Sequence, residues 1–392
     1  MSSQNPCPNC GLTDTAGFFE ARGIPIHSCG LTDTREEALT APRGDLVASL
    51  CRSCGFIWNS TYDPGLVDQS KLYEDQQCFS PTFNAFAEDL ARRLVEEYDL
   101  YEKDILEIGC GKGDFLSLIC GIGNSRGVGI DPAFEEGRLG EEETRNLEFV
   151  RDFYSEDHSK YVGDLVCCRH ALEHIHDTGE FVRLVRKSIG DRRPAVFFEV
   201  PDVTRILEDV AFWDIYYYHC SYFTPGSLSR VFRANHHRVT HLSRAFDDQY
   251  ILLDAVPTDG PTAEIPELEE DPGEVEEMVD RFSSRCDAEI GMWKEELGSI
   301  HAGGKRTVAW GSGSKCITFL SMVGIADEIE YVVDINPYRQ GRFLPGTGKE
   351  VVTPEFLVDY EPDYALVMNP VYCDEIAGSL REMGLDTEIL SV

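Results

Sequence analysis

Apolar residues recur every three to four positions at Phe83, Phe86, Leu90, Leu94 and Tyr98, a spacing that predicts an amphipathic helix late in a connecting stretch, residues 63–102. Beyond it the pattern changes to short apolar runs at 105–106, 128–130, 164–167 and 195–200, each separated by a helical segment. Short strands alternating with helices predict a doubly wound parallel sheet over residues 103–256, and the run 249–255 suits its closing strand. Residues 257–273 are rich in proline, glycine and acid and read as a linker. An amphipathic helix is expected next, from Glu274 to about Ile300. Residues 305–315 then restart the strand, glycine turn and helix order, and 331–334 and 364–368 supply further strands. The stretch 301–392 is therefore a second, smaller α/β domain, while residues 1–62 are turn-rich and carry two cysteine pairs. The fold class is α/β.

Charge narrows the partners. Seventy acidic residues face 35 basic ones, a net charge of -35 in 392 residues. Phosphate would be repelled, which argues against nucleic acid or an anionic membrane as a partner. The acids are spread along the whole chain, which fits a surface adapted to a salty, halophilic-type cytoplasm where cations screen self-repulsion. An acidic mesophilic protein is the rival reading. No apolar run approaches 20 residues and no signal peptide is visible, so the expected compartment is the cytoplasm and no membrane is involved.

Fourteen cysteines in such a chain point to thiols and metal rather than disulfides. Cys7 and Cys10 form one CxxC pair, Cys51 and Cys54 another, and each pair is followed by glycine (Gly11, Gly55). Four thiolates in tetrahedral array suit a closed, structural zinc site. Buried reduced cysteines without metal, or a redox role, are the alternatives. His27 and Cys29 could compete as ligands but read as a surface imidazole and a packed thiol. Cys110, Cys167, Cys168 and Cys316 read as small buried apolar residues in strands or turns.

The candidate ligand site begins at Glu107, followed by Gly109, Cys110, Gly111 and Gly113, with Asp131 at the end of the next strand. Glycines there let the backbone bend and approach a ligand. A dinucleotide fingerprint needs a further glycine at 114, where this chain has Asp114. The motif instead resembles the S-adenosylmethionine site of class I methyltransferases; a Rossmann-type fold without that cofactor and a nicotinamide enzyme are the alternatives. By that resemblance Asp152 is a candidate for the adenine, or else a solvated loop acid. Arg169 and His170, with residues up to Leu172, would line the sulfonium side. Glu173 and His174 would orient this loop.

The segment 213–223, with Tyr216, Tyr218, His219 and Tyr222, places one imidazole in an aromatic cluster. Together with the cysteine pairs and the segment 332–342, it resembles the sugar C-methyltransferases of deoxysugar pathways. Those enzymes have a zinc-binding N-terminal domain, a class I methyltransferase core and a C-terminal Rossmann-like domain, and they methylate the carbon beside the keto group of a nucleotide-linked 4-ketosugar. The resemblance implies His219 as the base, Tyr216 as a holder of substrate or enolate oxygen, and Tyr222 and Tyr73 as further pocket residues; a substrate hydrogen-bonding residue and a buried structural histidine are the alternatives for His219. One departure stands out: the family's glutamate beside that histidine is Tyr218 here. Either another acid takes over, Glu199 being a candidate, or the reaction differs, for example methylation of oxygen or nitrogen in another metabolite. A non-catalytic cofactor-binding scaffold is the reading from a different class. His236, His237 and His241 read as surface residues. The second glycine turn, Gly311, Ser312, Gly313 and Ser314, opens a helix whose N-terminus could hold a phosphate, with Lys315 and Arg342 adding charge; by the resemblance this domain faces the nucleotide part of a small-molecule acceptor, and a structural turn with solvated basic residues is the alternative.

Overall fold

A computed structural model describes residues 5–27, 30–67, 74 and 76–392. The N-terminal part is an antiparallel sheet of β1 (Thr15–Pro25), β2 (Arg43–Cys51) and β3 (Ile57–Asn59), with a short helix α1 (Arg35–Leu39) between the first two strands. Helix α2 (Pro81–Glu97) follows, started by Ser80, whose side chain accepts from the Phe83 N–H, and by Pro81 in its first turn. It buries Ala87, Leu90, Ala91, Leu94 and Val95, the stripe its sequence spacing predicts.

The central sheet contains β4 (Asp104–Ile108), β5 (Arg126–Ile130), β6 (Leu147–Val150), β7 (Leu165–Arg169) and β8 (Ala195–Pro201), all parallel. Helices α3 (Asp114–Gly123), α4 (Thr178–Ile189), α5 (Val203–Glu208) and α6 (Pro225–Ala234) alternate with them, and a two-residue strand β9 (Ser221–Tyr222) lies between the last two. A hairpin of β10 (His237–Ala245) and β11 (Tyr250–Pro257) completes the order β10-β11-β8-β7-β4-β5-β6. The run expected as a closing strand is thus an interior one, antiparallel to β8 and β10. This is the mixed sheet of the class I methyltransferase fold. Strand order reverses between β4 and β7, so the crevice beyond their carboxyl ends is where a ligand belongs.

Helix α7 (Pro272–Ala302) leads to the C-terminal unit, which holds β12 (Thr307–Trp310), α8 (Ser314–Val323), β13 (Ile329–Val333), β14 (Glu350–Val352), α9 (Leu357–Tyr360), β15 (Tyr364–Val367), α10 (Cys373–Glu382) and β16 (Glu388–Ser391). Its five strands are all parallel in the order β14-β13-β12-β15-β16, again with a reversal beside the first strand.

The three units share cores. Phe282 of α7, fully buried, meets Phe18 and Phe19 of β1 edge-on, and Trp293 of the same helix meets Phe319 of α8. Burying one such phenyl ring contributes about 2 kcal/mol, so α7 fastens both ends of the chain. Strand β9 pairs with β3 (Ile57 opposite Tyr222, Trp58 opposite Ser221), joining the N-terminal sheet to the central segment. The stretch before α7, which reads as a linker, is tied down: Glu269 pairs with Arg233 at 2.5 Å and Glu270 accepts from the Gly226 N–H. His237 corrects another expectation. It is fully buried against Phe232, and burial pushes its imidazole down to about 4. Among the described residues no helix is long and apolar enough to cross a membrane.

Candidate functional site

One cavity of about 1500 Å³ runs from the crevice of the central sheet to that of the C-terminal sheet. Ligand pockets commonly measure about 300–1,000 Å³, so this space accommodates two ligands side by side.

Its first wall is the turn after β4. Gly109 has φ +72°, and a Cβ there would sit 2.4 Å from the Ala171 side chain, so only glycine fits. The Gly111 backbone faces open space. The Gly111 N–H donates to Asp131 Oδ2 at 2.9 Å and the Ala133 N–H to Oδ1 at 2.7 Å, fixing the carboxylate at the end of β5. Glu107 is buried, and its Oε2 has no hydrogen-bond partner among the described residues. Burial, opposed by Arg169 and reinforced by Asp114 and Asp131, pushes its carboxyl up to about 8. An unpaired acceptor beside an open backbone turn fits the ammonium of an amino-acid-bearing cofactor. Glu107, Gly109, Cys110, Gly111 and Asp131 all line the cavity. Gly113 stands behind them at the start of α3, where a Cβ would strike Phe149. Asp152 does not reach the cavity: it is exposed, its Oδ1 accepts from the Phe153 N–H, and the Phe153 ring lines the wall instead.

The second wall is the loop after β7. Arg169 lies over the Phe115 ring at 3.9 Å and donates from Nε to Glu199 Oε2 at 2.6 Å. His170, at φ +50°, places Nε2 2.8 Å from Glu199 Oε1. Burial opposes both charges. Even so, Arg169 and His170 hold Glu199 down to about 2, and Glu199 with Glu173 pushes His170 up to about 9. Glu199 is therefore fully engaged with two cations and is not the partner of His219, contrary to expectation.

The third wall is the aromatic segment. Tyr216 Oη and His219 Nε2 share a hydrogen bond at 3.0 Å. His219 is buried, and burial, then His174, His170 and Lys315, hold its imidazole well below the ordinary range, so it is neutral at pH 7. The His174 Nδ1–H donates to the Tyr218 carbonyl at 3.2 Å and its ring lies 4.1 Å from the Tyr218 ring. Tyr222 corrects its expected role. Its hydroxyl donates to the Tyr216 carbonyl at 2.9 Å and accepts from the Tyr216 N–H at 3.1 Å, so it shapes the backbone and stays out of the cavity wall. Tyr73 lies outside the described residues.

The fourth wall is the turn after β12, built like the first. The Ser312 N–H donates to Asp334 Oδ2 at 2.9 Å and the Asn336 N–H to Oδ1 at 2.9 Å. Gly311, Gly313, Ser314 and Lys315 line the cavity. Lys315 is half-buried, and its Nζ lies 2.8 Å from Asp214, so its charge is already matched. Arg342 points away and pairs with Asp33 at 2.8 Å. Arg339, three residues earlier and not singled out in the sequence, lines the cavity and donates to the Ser312 carbonyl at 2.8 Å. Its signal was available: it follows Asp334 and Asn336 in the loop that mirrors Asp131.

Away from the cavity, the four cysteines converge. Sγ–Sγ distances are 3.7 Å for Cys7–Cys54 and for Cys10–Cys51, and all four sulfurs lie within 4.8 Å of one another. A tetrahedron with metal–sulfur bonds of about 2.3 Å has edges of about 3.8 Å, so the set fits a structural metal site. His27 is not part of that group, and Cys29 lies outside the described residues. Cys110, Cys167, Cys168 and Cys316 are buried as expected, although Cys316 sits in α8 rather than a strand or turn.

Residues 45–242 match a methyltransferase domain family and residues 264–387 a C-methyltransferase C-terminal domain family. The C-methyltransferase NovU of Streptomyces niveus is 28% identical over 309 residues, 74% of this chain and 71% of that protein. Among solved structures, a 1,6-didemethyltoxoflavin-N1-methyltransferase from Burkholderia thailandensis aligns with a TM-score of 0.35 and 15% identity over 44% of this chain and 79% of its own. Magnesium protoporphyrin IX methyltransferase from Synechocystis PCC 6803 aligns with a TM-score of 0.34 and 14% identity over 45% of this chain and 84% of its own.

Proposed function

The chain belongs to the methyltransferase domain family and is an S-adenosylmethionine-dependent methyltransferase related to sugar C-methyltransferases; from that premise we propose that it methylates the carbon beside the keto group of a nucleotide-linked ketosugar. The observation that carries the reading is the buried Tyr216–His219 pair on the wall of a cavity that also reaches both glycine turns. Glu107, the turn from Gly109 to Gly113, Asp131, Arg169 and His170 would hold the cofactor, which supplies an electrophilic methyl group when bound. A carbon acid next to a carbonyl becomes nucleophilic only as its enolate, so the site needs a base and a donor for the oxyanion. His219, neutral because it is buried, is free to accept that proton. The Tyr216 hydroxyl stands beside it to hold substrate or enolate oxygen. Tyr218 and the loop from Gly311 to Lys315 face the acceptor, and Arg339 adds charge for a diphosphate.

The test is incubation with labelled S-adenosylmethionine and a panel of nucleotide ketosugars, with mass analysis of the product. His219→Asn is expected to abolish turnover and leave cofactor affinity within about twofold, since no cofactor contact is assigned to it. Label found on oxygen or nitrogen would favour the second reading, methylation of another small metabolite, to which the absence of a glutamate at Tyr218 lends weight. Membership of an enzyme family sets the scaffold reading aside. We further infer that the cysteine site takes zinc, that the enzyme works in the cytoplasm, and that its partner is a small molecule rather than nucleic acid.

A further inference from the structure

Three side chains from two separate loops meet in the cavity wall. A carboxylate oxygen of Glu173, a ring nitrogen of His174 and a ring nitrogen of His219 all lie within 4.8 Å of one another. The loops are stitched together at this point. The His174 Nδ1–H donates to the Tyr218 carbonyl, the Ser221 hydroxyl donates to the Ile175 carbonyl at 2.7 Å, and the Cys220 thiol reaches the Glu173 carbonyl. Glu173 is 2% exposed, one oxygen lies 3.7 Å from His170 Nδ1, and Oε2 has no hydrogen-bond partner among the described residues. The first oxygen thus already faces the His170 ring, and the second, buried and unpartnered, is costly unless something further becomes positive beside it.

His219 is the group that must become positive. As the C–H bond breaks, its electron pair forms the carbon–carbon double bond of the enolate, the carbonyl π pair moves onto oxygen, and the proton arrives on the imidazole. The charged groups facing that ring are otherwise unfavourable: His174, His170 and Lys315 all disfavour its protonation, His170 being paired with Glu199 and with Glu173 itself and Lys315 with Asp214. We propose that Glu173 supports His219 in proton abstraction, supplying from the loop after β7 the negative charge that the sugar C-methyltransferase family carries at the position of Tyr218. The proposal rests on His219 being the base. Glu173 touches neither substrate nor cofactor in this role. It is a positioning residue, holding the imidazole and its neighbour His174 and offsetting the imidazolium until the proton passes to solvent.

The test uses the full chain with its metal, a nucleoside-diphosphate 4-ketohexose as probe, and two readouts: exchange of the α-hydrogen in D₂O and methyl transfer. Glu173→Gln is expected to lower both rates about 100-fold, in the range typical of general-base support, with KM and cofactor affinity nearly unchanged. The acid limb of its pH profile should move to lower pH, because the imidazole loses its anionic neighbour. Glu173→Gln/Tyr218→Glu, which returns a carboxylate to the family position, should recover at least about tenfold of the lost rate; a purely structural role for Glu173 would give no such rescue. A Glu173→Gln variant within about threefold of the parent, alongside an inactive His219→Asn, would overturn the assignment while leaving the base in place. An active His219→Asn would overturn the base itself and this assignment with it. A second metal equivalent per chain that disappears in Glu173→Gln would make the cluster a metal site and would also overturn the proposal.

Discussion

His170 offers a quantitative check on the buried charge network beside the cofactor turn. Its Nε2 lies 2.8 Å from Glu199 Oε1 and its Nδ1 lies 3.7 Å from Glu173. Burial works against its charge, but the two carboxylates raise it from 6.5 to about 9. A group whose folded value is raised contributes stability that is whole below its unfolded value and is lost as pH rises through the folded value. The window for His170 therefore opens at about 6.5 and closes at about 9. At 1.36 kcal/mol per pH unit this interval is worth about 3 kcal/mol. Glu199 describes the same contact from the other side; it is held down to about 2, so its own loss falls below pH 4.5 and leaves the alkaline window alone. His170→Asn is the suitable perturbation, because asparagine tolerates the φ of +50° and Arg169 still satisfies Glu199. Calorimetric midpoints should be followed from pH 6 to about 10 at constant potassium chloride. The parent is expected to fall by several degrees across the window. The variant should start lower, remain flatter, and converge with the parent on the alkaline side. Parallel curves, or equal midpoints at pH 6, would refute the reasoning.

Three further outcomes are expected. Gly109→Val forces a side chain into Ala171 at a φ of +72°, a left-handed conformation costing about 1–2 kcal/mol before the clash is counted; calorimetry should show cofactor affinity reduced at least about tenfold with metal content unchanged. Tyr222→Phe strips both hydrogen bonds from the Tyr216 backbone, so the midpoint should drop by an amount equivalent to about 1–3 kcal/mol and kcat should fall more than cofactor affinity. Thermal midpoints should rise as potassium chloride is increased to molar levels, because screening relieves a net charge of -35; a midpoint indifferent to salt would rule out the salt-adapted surface.

What could be read from the chain alone was whatever local backbone chemistry dictates. The turn from Gly109 to Gly113 and the carboxylate of Asp131 were legible because only glycine bends there and because strand ends in such sheets face the ligand. The cysteine pairs were legible from spacing, while the 40 residues between them needed the structure: β1 and β2 run antiparallel with Thr15 opposite Cys51, which folds the second pair back onto the first. Tertiary choices were not legible. Glu199 and Glu173 are both buried acids, but Arg169 and His170 engage both oxygens of the first, whereas the second keeps one oxygen, Oε2, without a partner among the described residues. Arg339 and Arg342 differ by three positions, and the loop that follows Asp334 decides which one faces inward. A tyrosine's apolar ring predicts a pocket wall. Whether its hydroxyl serves substrate or backbone, as at Tyr222, depends on partners six residues away.

The pairing of β9 with β3 has a practical meaning for anyone who would recombine such enzymes. Ser221 and Tyr222, two and three residues after His219, form the outermost ribbon of a sheet whose hairpin turn carries Cys51 and Cys54. A graft that exchanges the metal-bearing module without residues 212–222, or the reverse, would leave the imidazole hanging from a broken edge. The two segments travel as one heritable part, although more than 150 positions apart along the chain.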